Sequence, residues 1–111
     1  MDIVQSESSG FTVVSISGEV DLNSSPQVRK LFDDLIAKKA SKIIVNFKKV
    51  TYIDSSGLAT LIEMMQRLKK NQGLMCLVEM SDKIHSLFEI TKLDKLFSIF
   101  QNQTDAVNSV K

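Results

Sequence analysis

Alternation constrains this chain more than any other feature of its sequence. Nearly continuous apolar runs, Lys42-Ile43-Ile44-Val45-Asn46-Phe47 and Leu74-Met75-Cys76-Leu77-Val78, are interleaved with segments of helical period, and no linker separates them. Runs of this kind read as central strands covered on both faces. Val28, Leu31, Phe32, Leu35 and Ile36 follow the i, i+3, i+4, i+7, i+8 pattern of one helix face, and Leu58, Leu61, Ile62, Met65 and Leu68 repeat at the same spacing. Such a stripe must be buried against another element. Parallel strands need crossovers of about this length, so a parallel crossover from the second strand fits, and the pattern places the chain in the α/β class.

The remaining segments fill out the order. Ile3 to Glu7 and Phe11 to Ser17 read as strands joined through the turn signal Ser8-Ser9-Gly10. Phe11 and Val13 share one face of the second strand while Val14 and Ile16 share the other, so both faces are expected to be covered. Ser24-Ser25-Pro26-Gln27 opens the first helix, with capping-box spacing from Ser24 to Gln27 and proline in the first turn. Lys69, Lys70, Asn71 and Gly73 supply a stop for the second helix. Asp82-Lys83 starts a shorter helix carrying Ile84, Leu87 and Phe88, then a connection around Thr91 to Asp94 leads to a last strand near Leu96 to Phe100. Thr104 to Val110 reads as a terminal helical turn. The predicted order is ββαβαβαβ(α), an α/β fold with a small mixed β-sheet of about five strands flanked by helices.

Composition limits what such a domain can do. At 111 residues the chain suits one domain spanning 1–111. Its 14 Lys and Arg against 13 Asp and Glu leave a net charge of +1, too little for a general field toward nucleic acid or an anionic membrane. Cys76, the single cysteine, sits in an apolar run, which rules out an intrachain disulfide and predicts a buried thiol in a reduced compartment. Met1 is followed at once by Asp2 and an alternating segment. There is no signal-peptide pattern and no run of ~18 apolar residues, so a cytoplasmic protein is expected.

The stretch Val50-Thr51-Tyr52-Ile53-Asp54-Ser55-Ser56-Gly57-Leu58 carries the functional signal. It places small polar groups where a strand gives way to a helix, and there the first N–H groups lack intrahelical acceptors and the helix dipole favours negative charge. Three readings follow. Asp54 or Ser55 can cap the helix, although Gly57 is then unexplained, because glycine in a helix costs about 1 kcal/mol relative to alanine. Its missing side chain would let another backbone or a ligand approach. Ser55 or Ser56 as a nucleophile is opposed by the missing first glycine of G-x-S-x-G and by the lack of any histidine but His85, which reads as a surface imidazole. No P-loop, dinucleotide fingerprint or metal-ligand spacing is present, and no cofactor or metal is expected. The third reading makes a serine the target of phosphorylation by another protein, at a helix end suited to hold the phosphate.

These residues resemble a known family. Ile53-Asp54-Ser55-Ser56-Gly57-Leu58 is similar to the D-S-[ST]-G-L signature of STAS-domain anti-sigma factor antagonists, the anti-anti-sigma factors of bacterial partner switching. Gly18-Glu19-Val20-Asp21 resembles the family's G-E-[LV]-D turn, Ile44-Val45-Asn46-Phe47 its apolar strand, and Leu87-Phe88-Glu89-Ile90-Thr91-Lys92-Leu93 its L-F-x-x-[ST]-G-L segment. The resemblance implies a non-enzymatic regulator. Its unphosphorylated form would bind an anti-sigma factor serine kinase and release the sigma factor. Phosphorylation at Ser55 would end binding, and a metal-dependent serine/threonine phosphatase would restore it. Asp21 matches a partner-contacting aspartate, and Asp54, Ser56 and Gly57 flank the modified position. Met64, off the apolar stripe, is expected on the same outer face or as a half-buried helix residue. Ala59 stands where many members carry a second glycine on the surface that faces a partner, and Lys92 replaces the glycine of the later motif, a change of turn chemistry. Some STAS domains are not phosphorylated and serve as binding or scaffold modules, in transporters or signalling complexes, so that alternative stands beside the switch.

Overall fold

The structure, a computed structural model, describes residues 1–110. The elements are β1 (Asp2–Ser8), β2 (Phe11–Val20), α1 (Ser25–Ala37), β3 (Lys42–Ile53), α2 (Ser55–Lys70), β4 (Leu74–Val78), α3 (Asp82–Ile90), a 3-10 turn (Leu93–Lys95), β5 (Ser98–Phe100) and α4 (Gln103–Asn108). β1 and β2 form an antiparallel hairpin. Its two-residue turn, Ser9 (φ 52) and Gly10 (φ 84), has the left-handed conformation that matches the twist of paired strands. The other pairs are parallel, and the sheet order is β1-β2-β3-β4-β5.

Because each parallel strand adds on the same side of the last, right-handed crossovers put α1, α2 and α3 on one face. Val28, Phe32 and Leu35 of α1, Leu61, Met64 and Leu68 of α2, and Ile84 and Phe88 of α3 share a core there with Val14, Ile43, Val45, Phe47 and Leu77 of the sheet. Phe88 lies edge-on to both Phe47 and Phe97. The opposite face is covered by α4, whose Ala106 packs with Phe11, Val13, Ile44, Cys76 and Val78. Both faces of β2 are thus covered, and burial pushes the Cys76 thiol up.

Three local expectations are corrected. The apolar run from Lys42 to Phe47 and the strand that leads into Asp54 are one continuous strand to Ile53, and its partner continues past Ser17 to Val20. Phe47, Val50 and Ile53 are all buried in the same core although they are three residues apart. Two register shifts against β2 insert an extra β3 residue at each step, so a spacing of three becomes a strand period of two plus one bulged residue. The Ser24–Gln27 capping box does not form. Instead Asp21 and Ser24 make the reciprocal pair three residues earlier: Asp21 Oδ1 accepts the Ser24 N–H at 3.0 Å and the Asp21 N–H donates to Ser24 Oγ at 2.9 Å. The last strand, expected from near Leu96, begins at Ser98, since the Leu96 and Phe97 N–H groups donate to the Leu93 carbonyl of the preceding 3-10 turn. Lys92 holds the left-handed conformation (φ 61) at the end of α3, the turn position at which the resemblance implies a glycine.

Candidate functional site

The C-terminal ends of β2, β3 and β4 lie on one edge of the sheet, and each delivers the chain to a helix N-terminus. This is the edge at which parallel α/β sheets meet their ligands. The β3–α2 junction is the tightest, with Asp54 alone between Ile53 and Ser55. Asp54 is extended (φ -107, ψ -174), and its Oδ1 accepts the Gly57 N–H at 3.1 Å. Its Oδ2 accepts the Leu22 N–H at 3.2 Å, from the loop after β2. Its own N–H donates to the Val20 carbonyl at 3.1 Å. Asp54 is therefore the cap, and Ser55 is not.

With the cap supplied by its neighbour, Ser55 is the first residue of α2, exposed, and its hydroxyl has no hydrogen-bond partner among the described residues. Ser56 is half-buried, and its carbonyl accepts from Thr60 Oγ1 at 3.0 Å. As the first two helical positions, Ser55 and Ser56 also carry N–H groups without an intrahelical acceptor. Gly57 is buried for a packing reason. A Cβ there would lie 2.6 Å from the Val20 carbonyl oxygen, 2.7 Å from Ile53 Cγ1 and 2.9 Å from Val20 Cγ1. The backbone that this glycine admits is the chain's own, so α2 can start directly against the end of β2.

Asp21 stands across from this junction in the loop that Asp54 holds. Its Oδ1 accepts from the N–H groups of Asn23 and Ser24, each at 3.0 Å. The Ser24 N–H does most to hold the Asp21 carboxyl below the usual aspartate range. His85 lies 3.8 Å from Glu89 on its own helix, and no base reaches the Ser55 hydroxyl among the described residues.

Residues 2–106 match the STAS domain. The chain belongs to the STAS domain family. Its relatives include the anti-sigma-B factor antagonist of Staphylococcus aureus, 30% identical over 80% of this chain and 82% of that protein. The anti-sigma F factor antagonist of Paenibacillus polymyxa is 26% identical over 92% of this chain and 88% of that one. In fold the STAS domain is similar to a putative anti-sigma factor antagonist of Thermotoga maritima, with TM-score 0.92 at 20% identity over 97% of this chain and 93% of that one. It is also similar to the phosphorylated form of the Bacillus cell fate determinant SpoIIAA, with TM-score 0.75 at 21% identity over 99% and 100% of the two chains. Membership of this antagonist family makes the STAS domain a regulator rather than an enzyme.

The structure does not bring every expected residue to one surface. Asp21, Asp54, Ser55 and Ser56 gather at the junction, and Ala59 follows on the exposed side of α2. Met64 is a correction: it is fully buried, on neither an outer face nor a half-buried one. Leu61, Met64 and Leu68 form the deepest line of α2, because the helix is covered by the sheet beneath and by α1 alongside. The α1 contact is clamped by Arg29 with Glu63 at 3.0 Å and by Arg67 with Asp33.

Sequence reasoning missed the exposed apolar side chains around Ser55. Leu22 is 72% exposed, Ile90 79% and Tyr52 45%. Tyr52, Leu87 and Ile90 line a groove of about 580 Å³ between α2 and α3, with Ser55 and Lys83 at its margin. A detectable signal existed for two of them: Leu22 stands between two polar residues, and Ile90 lies off the Ile84, Leu87, Phe88 stripe. Among the described residues, no helix is long and apolar enough to cross a membrane.

Proposed function

We propose that this STAS domain is a phosphorylation-switched anti-sigma factor antagonist that works in the cytoplasm. Its unphosphorylated form binds an anti-sigma factor serine kinase and frees the sigma factor. Transfer of phosphate from ATP to Ser55 ends binding, and a metal-dependent serine/threonine phosphatase returns the domain to its binding state. The observation that carries this reading is the free Ser55 hydroxyl: it is exposed at the first position of α2 because Asp54 performs the capping. Relatives named as antagonists of anti-sigma factors support the partner class, and the phosphorylated SpoIIAA form supports the chemistry.

Energetics favour a switch at this position. A phosphate at a helix N-terminus meets free N–H donors, so the fold accepts it without rearrangement. A partner carboxylate about 5 Å away would feel each added charge as roughly 3 kcal/mol at an effective dielectric near 20. That corresponds to about a hundredfold in affinity.

Binding to the co-encoded kinase tests the proposal. Ser55→Asp is expected to weaken the complex about a hundredfold while Ser55→Ala retains it. Intact-mass analysis after incubation with kinase and ATP is expected to show one added phosphate, located at Ser55 by fragmentation. Tight binding by Ser55→Asp, or a stable complex that never acquires phosphate, would mark a constitutive binding module instead.

A further inference from the structure

Resting on the proposed kinase interface, we infer that Asp54 is a positioning residue that acts through Leu22. The two carboxylate oxygens of Asp54 serve different parts of the chain. Oδ1 closes the first turn of α2 at Gly57, and Oδ2 reaches 32 residues back to the N–H of Leu22. Capping needs only the first of these. The second ties the β2–α1 loop to the residue beside Ser55. Within that loop Asp21 and Ser24 already bond each other and the Ser24 hydroxyl donates to the Glu19 carbonyl at 2.7 Å, so its base is rigid. Leu22 lies at the outer turn of the loop. Its side chain is 72% exposed, and among the described residues the Asp54 carboxylate is the only group seen to hold its backbone.

The arrangement fixes the backbone of a large, exposed apolar residue against the residue that precedes Ser55, whose hydroxyl the kinase must approach. Leu22, Ser56 and Ala59 border one shallow depression with Pro26 and Arg29, so the loop and the outer side of α2 form one continuous surface. A partner that reaches from Ser55 across Ser56 onto this side of α2 meets Leu22. Without the tether the loop would occupy its binding geometry only part of the time, and apparent affinity falls by that fraction. Occupancy of about one tenth would weaken binding tenfold.

Asp54→Ser separates the two duties, since serine caps about as well as aspartate but offers one short oxygen. Asp54→Asn is a second variant of nearly unchanged shape that also retains one acceptor. Amide hydrogen exchange on the free domain is expected to run about tenfold faster at Leu22 in either variant, and to stay as in wild type in Ser55→Ala. Kinase binding is then measured for Asp54→Ser, Leu22→Ala and the pair. Each single change is expected to cost about tenfold and the pair little more, because removing the Leu22 side chain removes what Asp54 positions. Costs that multiply to about a hundredfold, or unchanged exchange at Leu22, would overturn the inference. If wild type binds no kinase, the phosphoswitch reading fails separately, and exchange at Leu22 still decides the tether.

Discussion

Two strand-to-helix junctions on the same sheet edge use serine in opposite ways. After β4 the chain passes through Glu79, Met80 and Ser81, and the Ser81 hydroxyl accepts the Ile84 N–H at 3.2 Å, so that serine is consumed as a cap. After β3 a single aspartate intervenes, takes the cap, and leaves the Ser55 hydroxyl unbonded at the surface. The third helical positions differ as sharply. In α3 this is Ile84, 2% exposed, and in α2 it is Gly57, with no room for a methyl group. A serine at a helix start becomes available for chemistry when a neighbour does the capping, and the helix can sit close enough for that neighbour when its third position is glycine.

The strongest challenge to this contrast is to alter the two third positions. Ile84→Ala empties a packed site and is expected to cost about 3 kcal/mol. Gly57→Ala, which adds one carbon, is expected to cost about 1.5 kcal/mol, because overpacking against the Val20 backbone outweighs the gain in helix propensity. Urea denaturation reads both, and a neutral or stabilising Gly57→Ala would break the comparison. Next in size are the serines themselves. Ser81→Ala should lose about 1 kcal/mol as a removed cap, whereas Ser55→Ala should stay within about 0.5 kcal/mol of wild type. Equal losses would show that Ser55 is structural after all.

The smallest effect concerns the loop that joins the junction from β2. The folded Asp21 carboxyl ionises below its ordinary range because the Ser24 N–H stabilises the charged form. Between the unfolded and folded values the unfolded chain binds more protons, so this contribution is complete above about pH 4 and is lost as the pH falls through the folded value. Acid titration of Asp21→Asn should therefore show a shallower loss of stability below about pH 4 than wild type. An identical slope would remove Asp21 from the account.

Much of this was legible along the chain. The three crossover helices and the strands between them follow from apolar period, and the change of turn chemistry expected at Lys92 is a left-handed conformation there. The family signature around Ser55 is equally local. What stayed hidden had a common origin in packing at a distance. Lys48 and Lys49 interrupt the apolar run of β3, so the continuity of its two halves as one strand emerges only from the bulged pairing with β2. Met64 reads as an off-stripe residue until α1 covers the flank of α2.

The sequence by itself determined the order of elements, the apolar faces and a polar helix start with two hydroxyls, because each depends on the geometry of residues a few positions apart. Only the tertiary structure decided which residue caps that start, why Gly57 must lack a side chain, and that Leu22 is tied to Asp54. Those outcomes depend on β2 and β3 pairing over their full lengths. That pairing brings Val20 and Leu22 against residues more than thirty positions away, where no local period can register them.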